Sequence, residues 1–214
     1  MADAHSPDMI VRYTPAERLG HWVVVIFFVL AAASGLALFH PALFWMSGLL
    51  GGGPWSVVLH PFAGLAMCVA FYVFVRPLWH HNRMEPRDRA WLSAIRDVVD
   101  NREDRLPEVG RYNAGQKILV YVLAGCLIAL FVSGIVIWRS YFSGYFGISI
   151  IRASALLHAF AAFILVAGIL VHVSAALWVK GSVPAMMSGT VTLGWAFKHH
   201  RAWFREMIRP SSGR

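Results

Sequence analysis

Hydrophobic and polar residues are separated along this chain into long apolar runs and short charged segments. No Asp, Glu, Lys or Arg occurs between Arg18 and Arg76, and the 27 residues of 153–179 also lack them. A membrane-crossing helix needs about 20 apolar residues. The first stretch is long enough for two crossings, and the turn residues His40-Pro41 and 51–54 (Gly-Gly-Gly-Pro) divide it. The pattern predicts four transmembrane helices, at about residues 19–39, 55–75, 116–138 and 152–179.

Composition and charge agree with a protein that lies in a membrane. Hydrophobic residues make up 58% of the chain and charged residues 14%, whereas soluble domains have about 25% charged residues. Nine of the 19 basic residues lie in the segment from Arg76 to Lys117, which joins the second and third predicted helices, and none lies between the first and second. The positive-inside rule then places both termini and the central loop in the cytoplasm. We predict an all-α integral membrane protein, a four-helix bundle that forms a single domain over residues 1–214.

Two segments outside the crossings have an amphipathic pattern. Residues 88–104 carry Trp91, Leu92, Ile95, Val98 and Val99 at helical spacing, which predicts one amphipathic helix on the cytoplasmic interface. The tail, 182–209, interleaves aromatic with basic residues and is also predicted to be interfacial. These segments are either interfacial helices without a catalytic role or docking surfaces for a partner. The basic residues border apolar segments, so we do not expect nucleic-acid binding.

Four histidines carry the candidate chemistry. His158 and His172 are 14 residues apart in the fourth predicted helix, so they share one face within about 40° and are about 21 Å apart along the axis. His21 begins the first helix near its cytoplasmic end, and His60 lies near the outer end of the second. Depth therefore pairs His21 with His172 and His60 with His158. Two imidazoles from different helices at one level suit the two axial positions of a haem iron, and such coordination favours electron transfer.

Other interpretations of these and neighbouring residues remain open. His40 competes with His60 for the outer pair, and a haem-free transporter or membrane anchor would use the histidines as proton relays. No acidic residue lies within the four predicted crossings, which argues against a proton pump. Glycines that would admit a flat ring or a close backbone are Gly35, Gly64, Gly134 and Gly168. Cys68 and Cys126 are expected to pack in the helices, and His80, His81, His199 and His200 to be solvated.

Several motifs together resemble one known family. They are Arg12-Tyr13-Thr14, the Arg-x-x-His-Trp string of 18–22, His60-Pro61, the Arg-Tyr-Asn-Ala-Gly-Gln-Lys string of 111–117, the His158/His172 spacing and the tail around Trp195. The chain resembles, over nearly its whole length, the cytochrome b (gamma) subunit of respiratory formate dehydrogenase. The string at 111–117 is the specific part of the resemblance, because dihaem cytochromes with four helices share the histidines but not that sequence.

The resemblance implies a role in anaerobic respiration at the bacterial inner membrane. It implies two b haems, with His60 and His158 as axial ligands of the outer haem and His21 and His172 of the inner haem. Electrons would come from an iron–sulfur (beta) subunit, itself fed by a molybdenum- or tungsten-pterin (alpha) subunit that oxidises formate. They would leave on menaquinone or ubiquinone near the cytoplasmic face. Association of heterotrimers into a higher oligomer is left open. The chain itself would carry no formate chemistry. A nickel–iron hydrogenase or a related dihaem quinone reductase is the alternative partner system.

A quinone pocket is expected at the start of the third predicted helix. Quinone reduction needs hydrogen-bond donors on the carbonyls, a proton route and a reductant at short range. Asn113 and Gln116 offer amide groups and Gly115 allows close backbone approach, at the expected level of His21 and His172. The alternative role for these residues is capping of the helix start.

Overall fold

Four long apolar helices dominate the structure. The computed structural model describes residues 8–100, 102 and 105–208. Within them, the helices long and apolar enough to cross a membrane are α1 (Pro15–Phe39), α2 (Gly53–Val75), α5 (Ala114–Ile137) and α6 (Ile148–Trp178). The four predicted helices are confirmed. Each begins up to four residues earlier than predicted, because the sequence pattern registers the apolar run but not the capped first turn in front of it.

The starts of α1 and α5 show how those first turns are built. The backbone N–H of Thr14 donates to Glu17 Oε2 at 2.8 Å, and the N–H of Glu17 donates to Thr14 Oγ1 at 3.2 Å. The N–H of Asn113 donates to Gln116 Oε1 and the N–H of Gln116 to Asn113 Oδ1, both at 2.9 Å. Each is a reciprocal capping box that satisfies two otherwise unpaired backbone donors. The two helices are therefore fixed at their first turns by their own sequence.

The predicted amphipathic segment forms two short helices instead of one. After a 3₁₀ helix at Arg76–Asn82, the chain forms α3 (Pro86–Ser93) and α4 (Ile95–Val99), with a break at Ala94, where φ is −94° and ψ is 17°. Residues 101, 103 and 104 of the prediction lie outside the described residues. Because of the break, Ile95 and Val99 are exposed while Trp91 is buried. The buried Trp91 packs with Val109 and Ala114, and Leu92 and Val98 lie against them.

The tail is partly helical and also contains a strand that the sequence pattern did not predict. It consists of α7 (Ser182–Ser188), β2 (Thr190–Thr192), α8 (Leu193–His199) and α9 (Arg201–Ile208), and residue 209 lies outside the described part of the chain. Strand β2 pairs antiparallel with β1 (Met9–Val11), in the register Met9 to Thr192 and Val11 to Thr190. Gly189 begins this pairing with φ 88°, a conformation that favours glycine. The short sheet joins the two ends of the described chain.

Contacts divide the chain into two units. The bundle unit comprises Leu19–Pro77 and Tyr121–Ser174, and the terminal unit comprises Met1–Arg18, Leu78–Val120 and Ala175–Arg214. The core of the bundle unit takes residues from all four long helices: Ala31, Ala63, Met67, Cys126, Leu127 and Leu165. Cys126 is buried there and Cys68 packs against it, and both are free thiols, as predicted. That the whole chain forms one domain stays a prediction.

The outward faces of the long helices are apolar. Only 11–22% of the most hydrophobic window of each helix is buried. On α6, Leu156, Phe163 and Leu170 recur every seven residues and are each more than 60% exposed. A soluble monomer rarely exposes an apolar surface of this extent. The four helices therefore present their large hydrophobic side chains to lipid or to protein partners.

Candidate functional site

Two pairs of histidines lie inside the bundle unit. The rings of His60 on α2 and His158 on α6 have centroids 6.2 Å apart and planes inclined at 70°. The rings of His21 on α1 and His172 on α6 have centroids 6.4 Å apart and planes inclined at 50°. The structure thus brings together the same partners that helix depth pairs in the sequence. Helix α6 contributes one ring to each pair.

The ring separations fit a metal ion between the two imidazoles of each pair. A metal–imidazole bond is ~2.0 Å long, and the coordinating nitrogen lies ~1.1 Å from the centre of its ring. Two rings that bind one metal ion from opposite sides therefore have centroids about 6.2 Å apart. Among the described residues, no group of three or more His, Cys, Asp or Glu side chains is placed to hold a metal ion. Two protein ligands for each metal suit a macrocycle that supplies the remaining four. The residues present therefore fit haem iron with two axial histidines.

Each histidine of the outer pair is hydrogen-bonded to a serine on the neighbouring helix. His60 Nδ1 lies 2.9 Å from Ser34 Oγ on α1, and His158 Nδ1 lies 3.0 Å from Ser133 Oγ on α5. Both serines also donate to backbone carbonyl oxygens, Ser34 to Leu30 at 2.7 Å and Ser133 to Ala129 at 2.6 Å. A hydroxyl has one proton, so each serine accepts from Nδ1–H. Nε2 of both rings is then the unprotonated nitrogen that coordinates a metal.

The glycine that follows each of these serines makes room for the ring. A Cβ added at Gly35 would lie 3.0 Å from Cε1 of His60, and one added at Gly134 would lie 3.4 Å from Cε1 of His158. A Cβ at Gly64 would meet nothing within 4 Å. Gly35 and Gly134 thus leave room for the imidazole rings of His60 and His158, and that these glycines admit the flat ring of a haem stays a prediction. The Ser-Gly dipeptide is thus used twice, once on α1 and once on α5.

The inner pair has different surroundings. Trp22 and Phe74 lie edge-on to the ring of His21, with centroids 5.1 Å and 6.1 Å away. Nδ1 of His21 is buried and has no hydrogen-bond partner among the described residues. Buried polar atoms without a partner are rare in folded proteins. The ring of His21 thus has aromatic contacts but no hydrogen bond from Nδ1 among the described residues.

His40, the competing candidate for the outer pair, has another role. Its side chain is exposed, and Nδ1 accepts a hydrogen bond from the backbone N–H of Ala42 at 3.2 Å. This bond caps the 3₁₀ helix Pro41–Leu50 that leads to α2. His60, not His40, is therefore the residue that meets His158.

The residues expected at the quinone pocket lie at the start of α5, in the terminal unit. The capping box uses the side-chain oxygens of Asn113 and Gln116, and their NH₂ groups are the donors that a quinone carbonyl would need. A Cβ at Gly115 would lie 3.2 Å from Cη2 of Trp91, so the glycine also permits that packing. Capping and packing account for these three residues locally. A role toward quinone stays a prediction.

A buried arginine organises the terminal unit, and the sequence pattern gave no signal of it. Arg12 is 2% exposed, and its guanidinium lies 4.5 Å from the ring centroid of Trp203 and within 6 Å of those of Tyr13, Tyr112 and Trp195. It donates to the backbone oxygen of Arg111. Burial lowers the pKa of Arg12 and raises the pKa of Tyr112 to about 12. Arg12 is thus a cation held largely by aromatic faces.

The expectation that His200 is solvated is wrong. It is 4% exposed, its Nδ1 lies 2.8 Å from the backbone oxygen of Gly110, and its Nε2 lies 3.4 Å from Arg12 Nη2. Burial, followed by the charge of Arg12, lowers the pKa of His200 to about 3. The ring is therefore neutral at physiological pH and donates from Nδ1. Its position among basic residues in the sequence gave the opposite impression because Gly110 and Arg12 are distant along the chain.

A buried ion pair fixes the junction between α3 and α5. Lys117 Nζ lies 2.8 Å from Asp88 Oδ2, and both side chains are at most 4% exposed. Lys117 also donates to the backbone oxygen of Arg83 at 3.0 Å, and Asp88 Oδ2 accepts the backbone N–H of Glu85 at 2.7 Å. Lys117 Nζ and Asp88 Oδ2 thus each make two hydrogen bonds. A nearby exposed pair, Arg102 with Asp97 at 3.4 Å, lacks this enclosure.

Comparison with known proteins identifies one family and several similar chains. A family model described as prokaryotic cytochrome b561 matches residues 12–189. The chain is 44% identical over 200 residues to the formate dehydrogenase cytochrome b556(fdo) subunit of Escherichia coli K12, covering 94% of each. It is 43% identical to the nitrate-inducible cytochrome b556(Fdn) subunit of the same strain, covering 93% of this chain and 92% of the relative. It is 40% identical to the cytochrome b556 subunit of Haemophilus influenzae formate dehydrogenase, covering 93% and 84%.

Proposed function

Because the chain belongs to the cytochrome b subunits of formate dehydrogenase, within the prokaryotic cytochrome b561 family, we propose that it carries two b haems and passes electrons to quinone. It is a membrane protein of four transmembrane helices. Membership of a cytochrome b family implies haem b. The number of haems, the ligands and the direction of electron flow are the parts proposed here.

The observation that carries the proposal is that four histidines form two facing pairs, each with one ring on α6. His60 and His158 would hold the outer haem, and His21 and His172 the inner haem, because each pair has the ring separation that one iron requires. Bound haem iron supplies one-electron transfer without a change of ligands. The protein holds each ring on a helix backbone, which keeps the ligand geometry the same in both oxidation states.

The distribution of basic residues supports the proposed orientation. Nine Lys and Arg residues from Arg76 to Lys117 and six after α6 favour a cytoplasmic position for both termini by the positive-inside rule. The pair His60/His158 then lies toward the periplasm and the pair His21/His172 toward the cytoplasm of the bacterial inner membrane. Electrons would enter from an iron–sulfur subunit on the periplasmic side. Transfer across the membrane toward quinone would make the step electrogenic.

The proposed complex divides the chemistry between subunits. The relatives are named as subunits of formate dehydrogenase, so we infer that a molybdenum- or tungsten-pterin subunit oxidises formate and that the iron–sulfur subunit connects it to this chain. This chain would anchor the complex and would have no activity toward formate alone. These names favour formate dehydrogenase over a nickel–iron hydrogenase as the source of electrons.

Quinone reduction is proposed at the start of α5. The side-chain NH₂ groups of Asn113 and Gln116 are suitable donors to the carbonyl oxygens of menaquinone or ubiquinone, which gain negative charge on reduction. The capping box supports this assignment, because it fixes both side chains through their oxygens. Gly115 leaves the backbone accessible between them. The site needs no further charged group from the chain to bind a neutral quinone.

The decisive experiment is haem quantification in purified, haem-replete protein and in single histidine variants. Wild-type protein should contain two haem b per chain by pyridine haemochromogen assay. His172→Ala should retain one haem and lose quinol formation, because the inner iron loses an axial ligand. His40→Ala is the matched control and should retain two, because its ring caps a 3₁₀ helix. Two haems in the His172→Ala variant would overturn the pairing, and absence of haem from wild type would overturn the function.

A further inference from the structure

We propose that Ser34 and Ser133 are positioning residues that orient the two outer histidines and lower the reduction potential of the outer haem relative to the inner haem. The inference rests on the proposed coordination of that haem by His60 and His158. The effect of the two serines would be exerted entirely through the imidazole rings.

The hydrogen bonds of both serines have a fixed direction. Each hydroxyl donates its hydrogen bond to the backbone carbonyl oxygen four residues earlier in its own helix, at 2.7 Å for Ser34 and 2.6 Å for Ser133. Each therefore presents a lone pair to Nδ1 of the histidine on the next helix, at 2.9 Å and 3.0 Å. Ser34 is 0% and Ser133 1% exposed, so water does not compete for these bonds. The arrangement fixes both the tautomer and the rotation of each ring.

A hydrogen bond from Nδ1–H changes the iron as well as the ring. Donation from Nδ1–H raises the basicity of Nε2, and a more basic ligand stabilises the ferric state more than the ferrous state. Two such bonds act on the outer iron, one on each axial ligand. Withdrawal of either acceptor should therefore shift the midpoint potential of the outer haem upward.

The inner pair lacks the same support at one ligand. Nδ1 of His21 has no partner in the part of the chain that the structure describes. The outer iron, with hydrogen-bonded ligands on both faces, is then expected to have the lower potential of the two. An electron placed on the outer haem would move energetically downhill to the inner haem. The two serines would thus contribute to the direction of electron flow from the outer to the inner haem.

The test is a redox titration of the haem absorbance in the intact protein, with Ser34→Ala and Ser133→Ala compared with Ser56→Ala. Ser56 is a matched control: it is 0% exposed and donates to the carbonyl of Gly52, four residues earlier, at 2.9 Å. The component of the titration that belongs to the outer haem is identified as the one missing from His158→Ala. Potential is a suitable readout because a serine that serves only helix packing would not shift one haem alone.

We expect the outer component to shift to higher potential in both test variants, by up to about tenfold in its oxidised-to-reduced ratio, or about 59 mV for a one-electron couple. The inner component and the Ser56→Ala variant should keep their wild-type potentials. Selective loss of the outer haem from either test variant also supports the positioning role. Unchanged outer potentials, or equal shifts in both haems, overturn the inference while the coordination scheme stands. Wild-type protein without two haems would overturn both.

Discussion

The buried ion pair between Asp88 and Lys117 should be the most sensitive polar contact of the terminal unit. Its atoms are 2.8 Å apart, and neither side chain is more than 4% exposed. Asp88→Asn removes the negative charge but keeps an oxygen that can accept the backbone N–H of Glu85. The substitution therefore tests the charge, because it leaves the ammonium of Lys117 buried without a carboxylate and with neutral acceptors such as the backbone oxygen of Arg83.

The expected cost follows from desolvation. Removal of one partner of a buried pair typically destabilises a protein by about 3–5 kcal/mol, because an uncompensated charge stays buried. Retention of the capping oxygen places Asp88→Asn near the lower limit, about 3 kcal/mol. For a chain of this size, 1 kcal/mol corresponds to roughly 2–4 °C in Tm. We therefore expect Tm to fall by about 6–12 °C.

Thermal unfolding followed by circular dichroism, in one detergent and at one pH, measures this change. The control is Asp97→Asn, which breaks the exposed pair with Arg102 and should cost at most about 1 kcal/mol. Addition of Lys117→Met to Asp88→Asn should restore at least half of the lost stability, because no charge is then buried. The reasoning is refuted if Asp88→Asn lowers Tm no more than Asp97→Asn does.

Three further predictions concern other sites. Asn113→Ala should slow haem reoxidation by quinone about tenfold in stopped flow, since a hydrogen bond is lost, and should keep both haems; Thr14→Ala, which removes a similar cap, should leave the rate unchanged. His200→Gln should reduce the loss of stability on acidification, measured by denaturant unfolding. In wild type the unfolded histidine binds a proton below its ordinary pKa of 6.5 and the folded one only near pH 3, so the free energy of unfolding falls between these values by up to about 1.4 kcal/mol per pH unit. Gly35→Ala should lower the outer haem content in a pyridine haemochromogen assay, because the new Cβ would lie 3.0 Å from the outer histidine ring, whereas Gly64→Ala should not.

The features predicted correctly from sequence are those encoded within one helix. Uncharged segments long enough to cross a membrane predict the four transmembrane helices. Burial of a charge in lipid is costly, so charged residues are absent from these segments and their absence can be read from the sequence. The spacing of His158 and His172 gives a shared face, because helical geometry is fixed. Depth in the membrane then orders His21 and His60 along the same axis. The depth of each histidine in the membrane and the repeat of the α-helix were therefore sufficient to predict which rings pair.

The features that the sequence did not reveal depend on contacts between distant segments. His200 meets Arg12 across 188 positions, and Arg12 meets Arg111 across 99, so their neighbours in sequence are no guide to their burial. Strand β2 exists because β1 pairs with it, and a three-residue strand has no periodic signal of its own. Ser34 and Ser133 look like ordinary helix residues until the facing histidines are placed. The available sequence signal for these residues was that a Ser-Gly dipeptide occurs in both α1 and α5, the helices that precede those of His60 and His158.

The site around His60 and His158 consists of two halves, each formed by one histidine and the Ser-Gly dipeptide on the neighbouring helix. Helix α1 supplies Ser34 and Gly35 to the ring of His60 on α2, and α5 supplies Ser133 and Gly134 to the ring of His158 on α6. Each half therefore forms between helices that are neighbours among the four crossings. The two rings meet where the helix pairs pack together through the bundle core, to which all four long helices contribute. It follows that a substitution within one half should disturb the ring of one of the two histidines, His60 or His158, and leave the orientation of the other intact.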